Sequence, residues 1–414
     1  MNNLKSILII ANSESVHSAR FANEFAQRGF KVSLLSSTPY LGRVVNYDKS
    51  VNHLIFGATI TNFFKLLFKK KMEEFNPANS SKLHPFNFLI LFRMIYLFVF
   101  INRIVKNVDF EAVFCTNLTT NGLFAVRIKR NVNKICQTLG CDMRPFKWNS
   151  VNIINNNRLV YRFVEERLSY IIVEDEPYFN NFFSNRKTFK HPNKISKIKG
   201  LGVKINLFNP RFKSIELKKE LYNLKEEDIL AVCFRQPRPQ FAFPLILNLL
   251  KDTIIKHPNF YFAIGTGGVS FPELIEVVKK NNMEKNILFI QNIPYDFLHK
   301  YIAQGDIFID PVNIKSNPEM GAHGISGSVL ESMSCGLIPV IMRRDGLDDF
   351  FDDDLQKFIY EDMDTNFNFH IENAISNINN IDLKNKLRNS IIGNSNWDKN
   401  IKTCISLFQM KKNN

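Results

Sequence analysis

The 414-residue chain carries 54 Lys and Arg against 39 Asp and Glu, a formal net charge of +15. With 45% hydrophobic and 22% charged residues it has the composition of a soluble globular protein, and its length suits two domains. The basic excess favours nucleic acid, anionic membrane or phosphorylated substrates as partners, unless it reflects compositional drift alone. The six cysteines show no CxxC pair and no zinc spacing, which excludes a zinc-finger site and indicates a reducing cytosol.

Short apolar runs alternate with helical patterns along the first half, which predicts parallel α/β layers. The apolar start is too short for a secretory signal, so a strand is predicted over Ser6–Ala11. A helix over Val16–Gln27 ends at Gly29 and leads into a strand over Phe30–Leu35. Further parallel strands are predicted over Ala112–Cys115, Lys134–Gln137 and Tyr170–Val173.

Two segments of this half raise the question of a membrane. Residues 63–71 are rich in Phe and Lys, and 86–104 contain an apolar helix with Arg93 in its middle. The central charge and the length of the apolar run favour a buried or interfacial helix over a spanning one. Contact with an anionic membrane surface and packing inside the first domain both agree with this composition, so the two alternatives stay open.

The same alternation restarts near Asp228, after a basic, turn-rich stretch over 185–202 that is the predicted linker. Strands are predicted over Ile229–Phe234, Phe260–Ile264, Ile287–Ile290, Asp306–Asp310 and Ile338–Met342. Helices are predicted over Phe243–Ile255, Phe271–Lys280, Tyr295–Ala303 and from Val329 to Ser334. Sheets of this kind bind ligands at the carboxyl ends of their strands, which directs attention to the loops that follow them.

The most informative of these loops opens a helix within residues 321–340. Gly324, Ser326 and Gly327 would present backbone N–H groups and the positive end of the helix dipole, which suit a diphosphate. Ser326 or Ser328 can cap the helix, and Glu331 lies one turn in, where its carboxylate could accept hydrogen bonds from a ribose diol. An ordinary βαβ turn is the alternative.

From Glu331 the sequence continues to Ser-Met-Ser-Cys-Gly-Leu-Ile-Pro-Val, and this stretch resembles the signature region of glycosyltransferase family 4, retaining enzymes of the GT-B fold. Glu331 matches the second glutamate of that signature, whereas His323 stands where the first is expected. Weaker matches follow in order along the chain: residues 11–29, Thr138–Asp142, Gly202–Phe208 and Asn396-Trp397. Their joint order across the chain carries the resemblance.

The resemblance implies an α/β protein with two facing, doubly wound Rossmann-like domains. Residues 1–200 would form the acceptor-side domain, 201–390 the donor domain, and 391–414 a helix that crosses back to the first domain. A nucleoside diphosphate sugar would be the donor substrate, with no resident cofactor and no metal.

The resemblance also implies roles for residues of the donor domain. Arg235 would contact the donor diphosphate, and Arg238 would replace a lysine that is missing at Gln240. Gly265 and Gly267 would let the backbone approach the nucleotide. Ile293 would lie beside the base.

Three residues are predicted to act on the reacting groups. His17, at the head of the first helix, could stabilise the leaving diphosphate or orient an acceptor hydroxyl, or could simply cap the helix. His323 lies in the glycine-rich loop, and Asp142 is a polar contact to acceptor or sugar, or an ordinary turn residue. The acidic run 352–354 lacks spaced ligands and is interpreted as a solvated loop rather than a metal site.

The function predicted is metal-independent transfer of a sugar from a nucleoside diphosphate to a glycan or lipid-linked acceptor in cell-surface polysaccharide biosynthesis. Retention of configuration follows from the resemblance alone. The protein would be cytoplasmic or peripheral on the cytoplasmic membrane, with no nucleic-acid partner. The alternatives are a sugar-nucleotide epimerase, an inverting transferase on the same scaffold, or a catalytically silent adaptor in a polysaccharide-assembly complex.

Overall fold

The computed structural model describes residues 4–37, 45–54, 85–118, 120–138, 158–174, 191–239, 241–267, 270–291, 293–315, 325–344 and 346–410. The chain forms two compact units. The first comprises the described residues up to Glu174, together with 191–197 and 401–410. The second comprises Ile198–Asn400.

A seven-stranded sheet forms the centre of the first unit. Its strands are β1 Ser6–Ala11, β2 Lys31–Ser36, β3 Asn52–Leu54, β4 Ala112–Thr116, β5 Asn133–Gln137, β6 Tyr170–Glu174 and β7 Ile195–Ile198. They lie in the order β3-β2-β1-β4-β5-β6-β7, and the paired neighbours from β3 to β6 are parallel. Among the described residues before β7, the helices are α1 Val16–Gln27, α2 Pro85–Ile104, α3 Asn121–Arg127 and α4 Arg158–Arg167.

Aromatic packing joins the C-terminal helix to the core of the first unit. Every residue of β1 is buried, which agrees with its continuous apolar run. The rings of Phe25 and Phe114 pack edge-on against each other and against Phe408 of the last helix. The buried amide of Asn133 donates hydrogen bonds to the backbone oxygens of Phe408 at 2.9 Å and Met410 at 2.8 Å, so it terminates that helix.

The apolar helix α2 packs along one side and is open along the other. Arg93 is buried, donates to the backbone oxygen of Ser36 at 3.0 Å, and has its pKa lowered to about 10 by burial. Ile95 and Val99 are more than half exposed, at 56% and 54%, and Phe100 is 38% exposed. Among the helices of the described residues, none has the length and apolar character needed to cross a membrane. The predicted segment 63–71 lies outside the described residues.

The second unit is built on a six-stranded sheet. Its strands are β8 Ile229–Cys233, β9 Phe260–Gly265, β10 Ile287–Ile290, β11 Ile307–Ile309, β12 Ile338–Met342 and β13 Ile359–Tyr360. They lie in the order β10-β9-β8-β11-β12-β13, with parallel neighbours. The helices that the described residues of this unit form are α5 Ile215–Tyr222, α6 Phe243–Lys256, α7 Phe271–Lys280, α8 Tyr295–Ala303, α9 Gly327–Ser334, α10 Met363–Ser376, α11 Ile381–Asn394 and the start of α12 Trp397–Gln409.

A close backbone approach fixes the start of α12 within the second unit. The backbone N–H of Val203 donates to the oxygen of Ser395, and Trp397 donates back to Val203. Gly202 has a φ of +93°, and a Cβ there would lie 2.8 Å from the Cα of Trp397. The conformation and the contact therefore both require glycine at this position.

The sequence predicted the strongly apolar elements closely and missed the short or polar ones. Helices over Val16–Gln27, Phe271–Lys280 and Tyr295–Ala303 have the predicted bounds, and Gly29 ends the first of them with a φ of +86°. The predicted linker over 185–202 contains strand β7, which is a correction. Because β7 is only four residues long and half of them are Ser and Lys, it shows no apolar run.

Candidate functional site

The strand order of the second unit defines where a ligand would bind. The chain runs outward from β8 through β9 and β10, and then returns to the other side of β8 with β11. This reversal opens a crevice at the carboxyl ends of β8 and β11, where doubly wound sheets bind their ligands. Arg235 follows β8 and Asp310 follows β11, so these two residues flank the crevice.

Arg235 forms an ion pair at this position with a fully buried carboxylate. Its Nη1 lies 2.9 Å from Oδ1 of Asp310, whose side chain is 0% exposed, while the Arg235 side chain is 21% exposed. The guanidinium also stacks on the ring of Phe241, 4.5 Å from its centroid. Arg235 is thus held from two sides and still reaches solvent, as a residue that contacts an anionic ligand must.

A second arginine shares the same carboxylate. Nη1 of Arg344, which follows β12, lies 2.5 Å from Oδ2 of Asp310, and the Arg344 side chain is only 1% exposed. Nε and Nη2 of Arg344 and the hydroxyl of Tyr360 in β13 are buried without a hydrogen-bond partner among the residues that the structure describes. Burial raises the pKa of Tyr360 well above its usual value, so the phenol is neutral. With two guanidinium groups on one carboxylate, the cluster carries a net positive charge of one.

The start of α9 adds backbone donors on the carboxyl side of the same sheet. Ser326 is the N-cap residue with extended backbone, but its side chain accepts no capping hydrogen bond. Its hydroxyl lies 3.1 Å from that of Ser328, so the predicted side-chain cap is wrong in the structure. Gly327 is exposed, and no heavy atom of the described residues lies within 4 Å of where its Cβ would be. The first turn therefore remains open to an anion.

Glu331 has a partner that the sequence analysis missed. Its side chain is 6% exposed, and the hydroxyl of Tyr295, the first residue of α8, donates to its Oε1 at 3.0 Å. A buried carboxylate held by a phenol is oriented before any ligand arrives. This arrangement suits the predicted acceptance of hydrogen bonds from a diol.

The other residues predicted for the donor side occupy different settings. Gly265 faces the backbone of Phe234, with the nearest atoms 3.1 Å from its notional Cβ, so it has a packing reason to be glycine. Gly267 has a φ of +96°, with no atom of the described residues within 4 Å of its notional Cβ. Arg238 is exposed, and its Nη2 donates to Gln236 at 2.8 Å. Ile293 is half-buried between β10 and α8.

His17 lies at the carboxyl edge of the first sheet, in the first turn of α1. Its side chain is exposed, yet the protein around it displaces bulk water and, together with Arg20, lowers the pKa of His17 to about 4. The imidazole is therefore neutral at pH 7 in the absence of ligand. Asp142, His323 and Gly324 lie outside the described residues.

The acidic run 352–354 contacts a lysine. Nζ of Lys386 lies 2.9 Å from Asp352 and 2.5 Å from Asp354. Within the part of the chain that the structure describes, no three His, Cys, Asp or Glu side chains group closely enough to hold a metal ion.

Asp310, Arg344, Tyr295 and Tyr360 complete the site and were not singled out from sequence. Asp310 and Arg344 do carry a signal, since Asp310 is the last residue of the predicted strand Asp306–Asp310 and Arg344 follows the predicted strand Ile338–Met342 by two positions. The topology that makes these strands neighbours of β8 was needed to assemble them.

Comparison with known proteins identifies the second unit. Residues 214–395 match the model of the family described as Glycosyl transferases group 1. This segment is a group 1 glycosyltransferase domain. The matched range includes Arg235, Asp310, Glu331 and Arg344, so the cluster and α9 belong to the family region. The protein is a glycosyltransferase, and none of the curated proteins compared with it matches its sequence.

Solved glycosyltransferase structures share the fold over nearly the whole chain. A glycosyltransferase from Rickettsia africae has a TM-score of 0.67 at 14% identity, covering 98% of both chains. Sucrose-phosphate synthase from Thermosynechococcus elongatus has a TM-score of 0.67 at 11% identity, again covering 98% of each. Anabaena HepE in complex with UDP-glucose has a TM-score of 0.63 at 13% identity, covering 98% of this chain and 100% of the other. The two-sheet architecture is therefore the GT-B fold.

Proposed function

We propose that this glycosyltransferase transfers a sugar from a nucleoside diphosphate donor bound by the second unit to a saccharide acceptor. The observation that carries the proposal is the partly exposed guanidinium of Arg235 at the crevice between β8 and β11, where the cluster has a net charge of +1. The open first turn of α9 would supply backbone N–H groups to the same diphosphate. The complexes of HepE with UDP and UDP-glucose support a donor of this class.

The residues of this chain can stabilise the departing diphosphate. Arg235 and the amides at Gly327 and Ser328 would face the negative charge that grows on the leaving group, and Glu331, held by Tyr295, would accept hydrogen bonds from the ribose. His17 would orient an acceptor hydroxyl in its neutral form. Retention of configuration and metal-independent chemistry belong to the same proposal and rest on the resemblance to family 4.

The membrane-facing part of the proposal rests on α2. Ile95, Val99 and Phe100 form an exposed apolar stripe, and exposed Arg103 and Lys106 follow it, which is the pattern of an interfacial helix on anionic lipid. A lipid-linked acceptor in polysaccharide biosynthesis would place the protein at such a surface.

The donor proposal is tested by the thermal stability of the purified protein against nucleoside diphosphates and their sugar conjugates. A ligand at about 100 times its Kd adds about 2.7 kcal/mol to the free energy of unfolding. The shifts in Tm across the set of ligands therefore identify the preferred base and sugar of the donor. Arg235→Ala should abolish the shift. Arg343→Ala, a neighbour of the cluster that pairs with Asp348 and Glu361 instead, should keep it. No shift with any nucleotide would contradict the proposal.

Transfer itself is tested by measuring nucleoside diphosphate release with the selected donor, with and without saccharide and lipid-linked acceptors. Release that rises with an acceptor supports a transferase, whereas isomerisation of the donor alone would indicate the epimerase. Membrane contact is tested by sedimentation with phosphatidylglycerol vesicles. Val99→Asp should weaken it, and Ile255→Asp, at an apolar residue of α6 that is 68% exposed, should not.

A further inference from the structure

Arg344 is a buried arginine that the donor scheme leaves without a role. It lies beyond Asp310 as seen from Arg235, because the strand order places the ends of β8, β11 and β12 side by side. With 1% of its side chain exposed, Arg344 cannot touch a ligand in the crevice. Its effect on a ligand must pass through Asp310 and Arg235.

Hydrogen bonding does not explain this arginine. Nη1 of its guanidinium bonds to Asp310, while Nε and Nη2 are buried and find no partner in the described part of the chain. Leaving such donors unpaired is unfavourable, and an apolar side chain of similar volume would avoid that cost. What arginine contributes here, and an apolar side chain would not, is a positive charge.

That charge alters what Arg235 offers to a ligand. If Arg344 were neutral, Asp310 and Arg235 would form a pair with no net charge, and Asp310 would repel a phosphate. Because Arg344 pairs with Oδ2 of Asp310, its positive charge offsets the negative charge of the carboxylate, while Oδ1 still holds Arg235 in place. Because the cluster is buried, water and salt screen this effect weakly.

We infer that Arg344 is a positioning residue for the donor diphosphate, which acts by offsetting the charge of Asp310 so that Arg235 meets the ligand as a net cation. This inference rests on the proposed donor site. It predicts that the effect of Arg344 on binding affinity depends on the charge of the ligand and not on its base. It also predicts that, once a donor is known, neutralising Arg344 lowers kcat more than it raises KM, since the leaving diphosphate gains charge in the transition state.

The test compares UDP with uridine, or the corresponding pair for whichever base the thermal plate selects. Binding to the full-length wild type, Arg344→Met and Arg344→Lys is measured by calorimetry for the diphosphate and by ligand-observed NMR for the nucleoside. Arg344→Met should weaken diphosphate binding roughly tenfold and leave nucleoside binding unchanged. Arg344→Lys keeps the charge and should bind the diphosphate within about threefold of wild type. Arg343→Met, the same change at the adjacent position, should bind both ligands as wild type does.

Two outcomes would overturn the inference while the donor site stands. One is diphosphate binding by Arg344→Met equal to that of wild type. The other is an equal loss of diphosphate and nucleoside binding, which would show a structural role alone. Wild-type protein that binds no nucleoside diphosphate would overturn the proposed function and this inference together. Melting curves of each variant confirm that binding is measured on folded protein.

Discussion

Replacing Asp310 with Asn should destabilise the second unit far more than any other single charge removal near it. The substitution keeps the side-chain volume but leaves Arg235 and the buried Arg344 without a counter-charge. Removing one partner of a buried ion pair costs about 3–5 kcal/mol. In a unit of this size, each kcal/mol lowers Tm by roughly 2–4 °C, so the expected decrease is about 6–20 °C.

Adding Arg344→Met to Asp310→Asn should restore part of that stability. Arg344→Met alone is expected to cost about 1 kcal/mol or less, because Asp310 keeps Arg235 as its counter-charge and two buried nitrogens without a partner among the described residues are removed. The double variant should then be more stable than Asp310→Asn by about 2 kcal/mol.

The assay is scanning calorimetry of the four proteins, with hydrogen exchange of β11 and β12 amides to localise the change. Asp348→Asn serves as the control, since this side chain is 85% exposed and pairs with Arg343 at the surface. A decrease for Asp310→Asn no larger than for the control, or strictly additive effects in the double variant, would refute the reasoning.

Three other substitutions test separate parts of the structure. Tyr295→Phe removes the 3.0 Å hydrogen bond to Glu331 and should weaken nucleotide binding roughly tenfold in a calorimetric titration. An unchanged affinity would show that Glu331 does not contact the nucleotide. The pKa of His17 is lowered from 6.5 to about 4, so its contribution to stability is full above about pH 6.5 and is lost as the pH falls towards 4. His17→Gln should therefore flatten the fall of Tm in that window, and parallel curves would contradict this. Gly202→Ala should lower the free energy of unfolding by roughly 2–4 kcal/mol, because alanine is strained at this φ and its Cβ would lie 2.8 Å from the Cα of Trp397. The control is Gly393→Ala, where no atom of the described residues lies within 4 Å of the notional Cβ, and it should leave Tm unchanged or raised.

Periodicity predicted the architecture because most strands are continuous apolar runs bounded by glycine or by polar residues. The run Ile338–Met342, for instance, is buried throughout and has the predicted bounds. Strand β13 has two residues, Ile359 and Tyr360, and no period can be read from two positions. Its pairing with β12 arises from tertiary packing.

The candidate site likewise contains one residue that was predicted from the sequence and others that only the fold brings together. The resemblance to family 4 assigned Arg235 to the donor diphosphate, and its position directly after a predicted strand agrees with ligand binding at the carboxyl ends of strands. The same local signal at Asp310 and Arg344 carried no meaning until the strand order placed them beside Arg235. The hydrogen bond from Tyr295 to Glu331 joins two residues that lie 36 positions apart on different helices, and no local sequence pattern encodes it.

The central claim is that Arg235 holds the diphosphate of a nucleotide sugar, and calorimetric titration of wild type and Arg235→Ala with nucleoside mono- and diphosphates tests it most directly. The account predicts that wild type prefers the diphosphate and that Arg235→Ala loses this preference, with a loss of at least about tenfold for the diphosphate and little for the monophosphate. Equal affinity of the two proteins for the diphosphate would contradict it.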